Sequence, residues 1–488
     1  MIKFSESSLT KRPKADLLVL PFWKEKKPAP ASAFEGLSKE IAPGLSSGDF
    51  TGKEGEVVVL YVAGQKEPRV VLLGLGESKM ATEETLRRAY GKLTVCCHKN
   101  SWTALNIQLP TAPNLNVLRG VTEGILHANY AFNELKGNKK ELKPQVRQIC
   151  WISKMEKCAA QADHWQNAFE GVYLARNLVN GNADDVTPEK LVRVAKDLAT
   201  RFSKVKVTAF NKARIEKEKM GLLLAVNQGS HLDPAFIIIE YKGDPQSKDH
   251  TIVVGKGVTY DTGGLNLKPT GSMETMKSDM SGSAVALGTI LSCAKLNLKK
   301  NVTAVIPSTE NSIDSRSFKP GDVYSGYTGK TVEIGNTDAE GRLILADALA
   351  YACKNLKPSR IVDFATLTGA IVIALGEQTT GMMSNNDTLA NQLSEAGEAT
   401  FERVWRLPLF EEYKSQLKSD VADIKNIGGR SAGSITAALF LQEFVDEKVP
   451  WAHLDIAGTA FLSKSDRYLP KSATGVGVRL MVQFLENI

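Results

Sequence analysis

Along this chain, short runs of apolar and β-branched residues alternate with stretches of helical periodicity, and few architectures accommodate that pattern. Leu17–Pro21, Val57–Val62, Val70–Leu75, Leu105–Leu109 and Val146–Ile152 read as strands, with helices over Glu83–Cys97 and Val117–Leu135. The pattern resumes with strands at Val205–Phe210, Phe236–Tyr241, Thr251–Val254, Val302–Ile306 and Ile361–Phe364. Helices are expected at Met280–Leu296, Arg342–Cys353 and Ser434–Val445. Strands alternating with helices form α/β sheets that are mostly parallel. A chain of 488 residues outgrows one hydrophobic core, so two domains are expected. Between them a helical stretch from about His164 to Leu178 meets the turn formers Asn180-Gly181-Asn182. Thr187-Pro188-Glu189 then restarts a helix, with Thr as cap and Pro in the first turn. The expected division is a smaller α/β domain over 1–155, a connecting helix and linker over 156–186, and a larger α/β domain over 187–488. The larger domain is expected to hold a mixed, mostly parallel central sheet flanked by helices.

Hydrophobic residues make up 43% and charged residues 24%, ordinary globular usage that argues against wholesale disorder. No run reaches the ~18 apolar residues of a membrane helix. The opening Met1-Ile2-Lys3-Phe4-Ser5-Glu6 has no apolar core ahead of Lys11, Arg12 and Lys14, so the expectation is a cytoplasmic protein without a membrane partner. The six cysteines show neither C-x-x-C nor framework spacing and read as buried thiols rather than disulfides. The net charge of +7 is uneven, with 24 Lys and Arg against 16 Asp and Glu in residues 1–160. A basic first domain could meet DNA. Its runs, Lys24-Glu25-Lys26-Lys27 and Lys139-Lys140, are short and lack interleaved aromatics, so a solvated surface of mixed sign is the plainer reading.

Chemistry concentrates between Lys256 and Arg342. In Val253-Val254-Gly255-Lys256-Gly257-Val258-Thr259-Tyr260-Asp261-Thr262-Gly263-Gly264 a β-branched strand runs into a glycine-rich turn holding a lysine and an aspartate. Ligands of open α/β sheets sit beyond such strand ends. The stretch matches neither G-x-x-x-x-G-K-[ST] nor a G-x-G-x-x-G that opens a helix, so a phosphate loop is disfavoured. Asp279 sits at the mouth of the helix that starts at Met280, where alone it would read as a cap. In Asn336-Thr337-Asp338-Ala339-Glu340-Gly341-Arg342 the two acids are two residues apart, which would put them on one face of an extended loop but not of a helix. Four carboxylates, Asp261, Asp279, Asp338 and Glu340, thus gather at strand-to-helix junctions of one sheet. Packed together without cations they would repel and raise one another's pKa values, and divalent ions would offset that charge. With six histidines in total and no H-E-x-x-H, a metal site here is built from carboxylates. A hydrolase acting on phosphoesters is the other enzyme class open to such a cage. His453, two residues before Asp455 on a strand-like run, reads as a buried, hydrogen-bonded histidine rather than a ligand.

The octapeptide Asn336–Leu343, with Gly255-Lys256-Gly257 and Asp261-x-Gly263-Gly264 at their spacings, resembles the leucyl aminopeptidase family of two-metal exopeptidases. The resemblance is strong from about residue 250 to 480 and architectural over the first 150, where it implies a macro-like domain. It implies that Asp279 and Lys256 bind an exchangeable metal, Asp338 a tighter one, and that Asp261 and Glu340 bridge both. It also implies zinc or manganese, with magnesium as a further candidate. A lysine ligand must be a neutral amine, which a neighbouring dication favours. Lys268 and Arg342 become the catalytic pair, the first polarising the scissile carbonyl and the second holding a bicarbonate that acts as general base. Met276, Thr366, Leu367, Gly369, Ala457 and Ala460 would line the substrate pocket. Ala460 stands where well-known members carry Met, implying a roomier pocket. The resemblance further implies peptide substrates with a free N-terminus, leucine and other apolar residues preferred, and a homohexamer. Some bacterial relatives also act as DNA-binding regulators, the alternative role for the basic first domain.

Overall fold

The computed structural model describes every residue except 33, 35, 36 and 112, and the chain falls into two compact units. The first comprises Met1–Phe169 and Lys464–Lys471, the second Glu170–Ser463 and Ser472–Ile488.

The first unit is built on β1 (Lys3–Ser7), β2 (Leu17–Trp23), β3 (Ala29–Pro30), β4 (Val57–Tyr61), β5 (Arg69–Gly74), β6 (Ala104–Gln108) and β7 (Gln148–Ile152), in the order β1-β7-β6-β2-β5-β4 with β3 beside β2. The five strands from β1 to β5 along this path are parallel, and β3 and β4 add on antiparallel. An unbroken apolar run such as Leu17–Leu20 suits a strand covered on both faces, and all four residues are fully buried. Helices α1 (Ser38–Ser46), α2 (Glu83–Asn100) and α3 (Leu115–Ala128) complete the unit. Thr82 caps α2 and Asn114 caps α3. The apolar pattern predicts that α3 runs to Leu135, but it stops at Ala128. Asn129 turns its side chain to Val146 instead, donating to the carbonyl (3.0 Å) and accepting from the N–H (2.9 Å).

The break between the units falls inside α4 (Cys158–Asn180), and α5 (Pro188–Arg201) follows. Thr187 accepts from the Lys190 N–H and Pro188 takes the first turn, as the sequence predicts. The second unit's main sheet comprises β8 (Val205–Phe210), β9 (Ala235–Lys242), β10 (His250–Gly255), β11 (Gly257–Asp261), β12 (Asn301–Asn311), β15 (Arg360–Ala365), β16 (Thr380–Ser384), β17 (Val404–Arg406) and β19 (Trp451–Asp455). A small sheet holds β13 (Val323–Ser325), β14 (Thr331–Glu333) and β18 (Ile424–Lys425). Strands β19, β15, β10 and β12 form a parallel centre, with antiparallel pairing to β16 on one side and to β9 on the other. Beside α5, the helices of this unit include α6 (Lys212–Lys217), α7 (Gly221–Asn227), α8 (Ser281–Leu296), α9 (Gly341–Leu356), α10 (Gly369–Leu375), α11 (Asp387–Thr400), α12 (Gly433–Gln442) and α13 (Val478–Asn487).

Two details set up the carboxyl edge of this sheet. Strand β12 continues past Ile306 through Ser308-Thr309-Glu310-Asn311, polar residues that hide a strand from a hydrophobicity reading. All four are nonetheless buried and find partners inside: Ser308 donates to the Gly257 carbonyl, and Glu310 accepts from Ser230. The extension pairs with β11 and sets Asp261 opposite Asn311. Helix α9 turns Leu345, Leu349 and Ala352 into a core it shares with α7 and α12. All six cysteines are free, four of them buried and Cys96 and Cys353 half-buried.

Candidate active site

The side chains singled out in the sequence meet at that edge. Lys256 follows β10, Asp261 ends β11, Asp279 precedes α8, and Asp338 and Glu340 precede α9. Lys256, Asp261, Asp279 and Glu340 are each under 5% exposed. Asp338, with its side chain 31% exposed, and Lys268, at 14%, mark the open end. Carboxylate oxygens of Asp261, Asp338 and Glu340 lie within 4.8 Å of one another, close enough to share one ion. Asp279 joins through Lys256, whose Nζ lies 2.8 Å and 2.7 Å from its two oxygens and 2.9 Å from Glu340 Oε1. Lys256 also donates to the Thr366 carbonyl (2.9 Å). Lys268 pairs with Asp261 (2.8 Å) and with Asp338. Asp279 does not cap α8; its carboxylate is spent on Lys256 and the Thr366 hydroxyl (2.7 Å). Asp338 and Glu340 converge from a turn rather than an extended loop, since Asn336 Oδ1 accepts from the Asp338 N–H at 2.7 Å.

Glycines shape the floor. Gly263 and Gly264 both take positive φ, 87° and 65°, which lets the chain after Asp261 double back beneath Thr337. A Cβ at Gly341 would strike the Lys256 stem at 2.4 Å, so the glycine of the octapeptide is the channel through which that lysine passes.

Electrostatics follow from this crowding. Burial, then Glu340 for Asp261 and Asp338, pushes the Asp261 and Asp338 carboxyls above their ordinary range. Burial raises Asp279 further, despite Lys256. Burial would raise Glu340 as well, but Lys256 and Lys268 outweigh it and hold it low. Both lysines are raised, their acidic partners overcoming burial. Four acids thus face two ammonium groups. Glu340 Oε2 remains buried without a hydrogen-bond partner. Hard oxygen donors, surplus negative charge and that orphaned oxygen fit divalent cations. Arg342 donates from Nη1 to the Asn426 carbonyl (2.9 Å) rather than to Glu340, and its Nε is buried without a partner. Burial draws its pKa down to about 10, which leaves it cationic at neutral pH. An orphaned N–H on a cation at a helix start fits a small anion.

Around this centre, Met276 lies half-buried one turn before Asp279, and its carbonyl accepts from the Asp279 N–H. Leu367 and Ala457 both donate backbone N–H to Asp455 (3.0 and 3.2 Å), which also accepts from Thr368. Ala460 is buried with its backbone spent on Ile456 and Thr474, and Gly369 stands exposed with open space where a side chain would be. His453 is fully buried, its Nδ1 2.6 Å from Asp363, as expected of a structural histidine. Sequence reasoning missed three residues that hold the site: Asp455, Asn311 and Asn426. Asn311 donates to Asp261 (2.8 Å) and to the Thr337 carbonyl (3.0 Å). A lone Asn or Asp carries no local signal of such a role.

The chain matches the model of the cytosol aminopeptidase family catalytic domain over residues 173–482 and that of the family's N-terminal domain over 19–139. A probable cytosol aminopeptidase of Protochlamydia amoebophila is 53% identical over 487 residues, covering 98% of this chain and 97% of the relative. One from Chlamydia trachomatis serovar D is 47% identical over 495 residues, covering 100% and 99%. Among solved structures, a tomato leucine aminopeptidase mutant superposes with a TM-score of 0.88 at 32% identity, covering 100% of this chain and 97% of that one. The bottromycin maturation enzyme BotP in complex with Mn gives 0.85 at 31%, covering 97% and 99%.

Proposed function

Since this chain belongs to the cytosol aminopeptidase family and is an aminopeptidase, we propose that it releases N-terminal residues from peptides with two divalent cations held by Lys256, Asp261, Asp279, Asp338 and Glu340. The observation that carries the reading is the convergence of Asp261, Asp338 and Glu340, with Asp279 joined through Lys256 and one Glu340 oxygen orphaned. When bound, dications supply Lewis acidity and lower the pKa of a nucleophilic water toward neutrality. Asp279 and Lys256 would hold the exchangeable cation and Asp338 the tighter one, with Asp261 and Glu340 offering oxygens to both. The amine of Lys256 must give up its proton for this, and the excess acid charge that now holds the proton is what the ions would offset. Lys268, at the open end, donates a hydrogen bond to the scissile carbonyl oxygen as negative charge develops there. Arg342 would hold bicarbonate through its free Nε, the anion supplying the general base. A free α-amine of the substrate would be the group held beside Asp279 and Lys256, which would favour N-termini because an internal peptide bond offers no such group. Thr366, Leu367, Gly369, Ala457, Ala460 and Met276 line the side-chain pocket. With Ala at 460 that pocket takes leucine and larger apolar residues. Zinc or manganese suits the donor set. We place the enzyme in the cytoplasm, in keeping with the family name, and as a homohexamer by the family resemblance. The DNA-binding alternative rests on the charge of the first domain and on the family resemblance, with no observed site behind it.

The test is hydrolysis of leucyl-p-nitroanilide beside p-nitrophenyl phosphate, with and without exhaustive chelation. Peptidase turnover should vanish with the metal and return with Mn²⁺ or Zn²⁺. Full activity in a metal-stripped protein would overturn the mechanism, and preference for the phosphate would overturn the substrate class.

A further inference from the structure

Asn426 comes directly after β18, 84 residues from Arg342 in sequence, and is completely buried. Both polar atoms of its side chain are used on the acid loop. Its Oδ1 accepts from the N–H groups of Gly335 (2.7 Å) and Asn336 (3.3 Å). Its Nδ2 donates to the carbonyls of Asn336 (2.7 Å) and Ala339 (3.3 Å). Its own N–H donates to the Glu333 carbonyl (3.0 Å), and its carbonyl accepts from Arg342 Nη1 (2.9 Å). The loop between these anchors carries Asp338, and Ala339 adjoins Glu340.

We propose that Asn426 is a positioning residue that locks the Asp338–Glu340 loop and the Arg342 guanidinium into a single rigid piece. The roles of those groups rest on the two-metal reading above; the clamp itself rests on the bonds just given. Only a primary amide serves here, because the position needs two acceptor lone pairs on one side and two donors on the other. The partners also set the orientation, since reversing the amide would turn its NH₂ toward two N–H groups and its oxygen toward two carbonyls. An aspartate of the same shape keeps the acceptors but sets an anionic oxygen against the carbonyls of Asn336 and Ala339. An alanine removes all four side-chain bonds. The carbonyl that holds Arg342 belongs to the backbone and survives substitution, but the four side-chain bonds fix where that carbonyl sits against the loop, so their loss should loosen loop and arginine together and weaken cation binding and turnover.

The test uses the full-length protein, stripped of metal, as wild type and as Asn426→Asp and Asn426→Ala. Mn²⁺ binding is measured by titration calorimetry, and kcat and KM on leucyl-p-nitroanilide at saturating Mn²⁺. Partners of this kind typically tune metal affinity or activity by about 10–100-fold. We expect Mn²⁺ affinity and kcat each to fall within that range, with KM inside about twofold. In the double variant Asn426→Ala/Arg342→Ala, the loss should be smaller than the product of the single effects, because both act through one unit. A lower melting temperature with Mn²⁺ affinity and kcat unchanged assigns a merely structural role and overturns the proposal, as does strict multiplicativity with Arg342→Ala. Should the alanine variant fail to fold, the isosteric aspartate carries the same comparison. Wild-type protein that takes up no Mn²⁺ and hydrolyses no anilide overturns the two-metal reading instead, a result separate from any effect at Asn426.

Discussion

Substituting the glycine that opens α9 gives a demanding test, because stability and activity are expected to move through one contact. In Gly341→Ala the new Cβ would stand 2.4 Å from Lys256 Cε, 2.6 Å from Nζ and 2.8 Å from Cδ. Carbon pairs settle at about 3.5–4.0 Å, so lysine or helix must shift by about 1 Å. The lysine is 3% exposed and tied to Asp279, Glu340 and the Thr366 carbonyl, so it has no open side to move into. Overpacking of this kind costs about 1–3 kcal/mol. The usual helical preference for Ala over Gly, about 0.5–1 kcal/mol, offsets only part of that. A misplacement of about 1 Å in a catalytic constellation lowers rate by about 10²-fold. The variant should therefore fold, melt a few degrees lower, and hydrolyse leucyl-p-nitroanilide with Mn²⁺ about two orders of magnitude more slowly. Melting by circular dichroism and turnover on one preparation decide it. A folded Gly341→Ala protein with wild-type turnover would refute the idea that Lys256 must pass through this channel.

Removing either acid of the octapeptide, as Asp338→Ala or Glu340→Ala, should cost several kcal/mol of transition-state stabilisation, roughly 10³-fold or more in kcat/KM. The two should differ in stability: losing buried Glu340 strips a partner from buried Lys256, at about 3–5 kcal/mol, whereas part-exposed Asp338 costs less. Equal melting temperatures, or near-normal turnover in either, would contradict the assignment. The buried pair His453–Asp363 predicts a pH effect of definite sign. Burial opposes charge on the imidazole, but Asp363 and Asp455 outweigh it and raise its pKa. With the folded pKa above the unfolded ~6.5, the stabilisation is complete below about pH 6.5 and drains away as pH rises through the folded value. Melting temperatures of wild type and His453→Gln should therefore converge from pH 6 to pH 9, and a constant offset would count against the pair being charged.

How far residues announced this arrangement depended on where their partners lie. Strands with dense apolar and β-branched runs were legible to within a residue or so: Val205–Phe210 as drawn, Thr251–Val254 as His250–Gly255, Ile361–Phe364 as Arg360–Ala365. Elements with mixed content were not. Helix α11 is rich in Asn, Gln, Ser and Glu, β16 is a glycine and two methionines between hydroxyl residues, and β11 hides among glycines that suggest a turn. Helix α13 was missed although its apolar face is buried. Asp338, Glu340 and Lys256 stood out because they lie in dense local motifs. Asn311 and Asn426 did not, since nothing within ten residues of either reveals the loop each one holds across the fold. Asp279 shows the ambiguity plainly: an acid before a helix reads as a cap, and only the tertiary position of Lys256 reveals otherwise.

The carboxyl edge of the second sheet has a bearing on the chain's life before it is an enzyme. Its reactive groups arrive on three separate connections, between β10 and β11, between β11 and α8, and before α9. Slipping one strand by a single residue would turn its side chains to the opposite face and scatter them. A nascent or half-collapsed polypeptide therefore owns all the parts of a peptidase and none of its power. The site comes into being only when the last of these connections has docked.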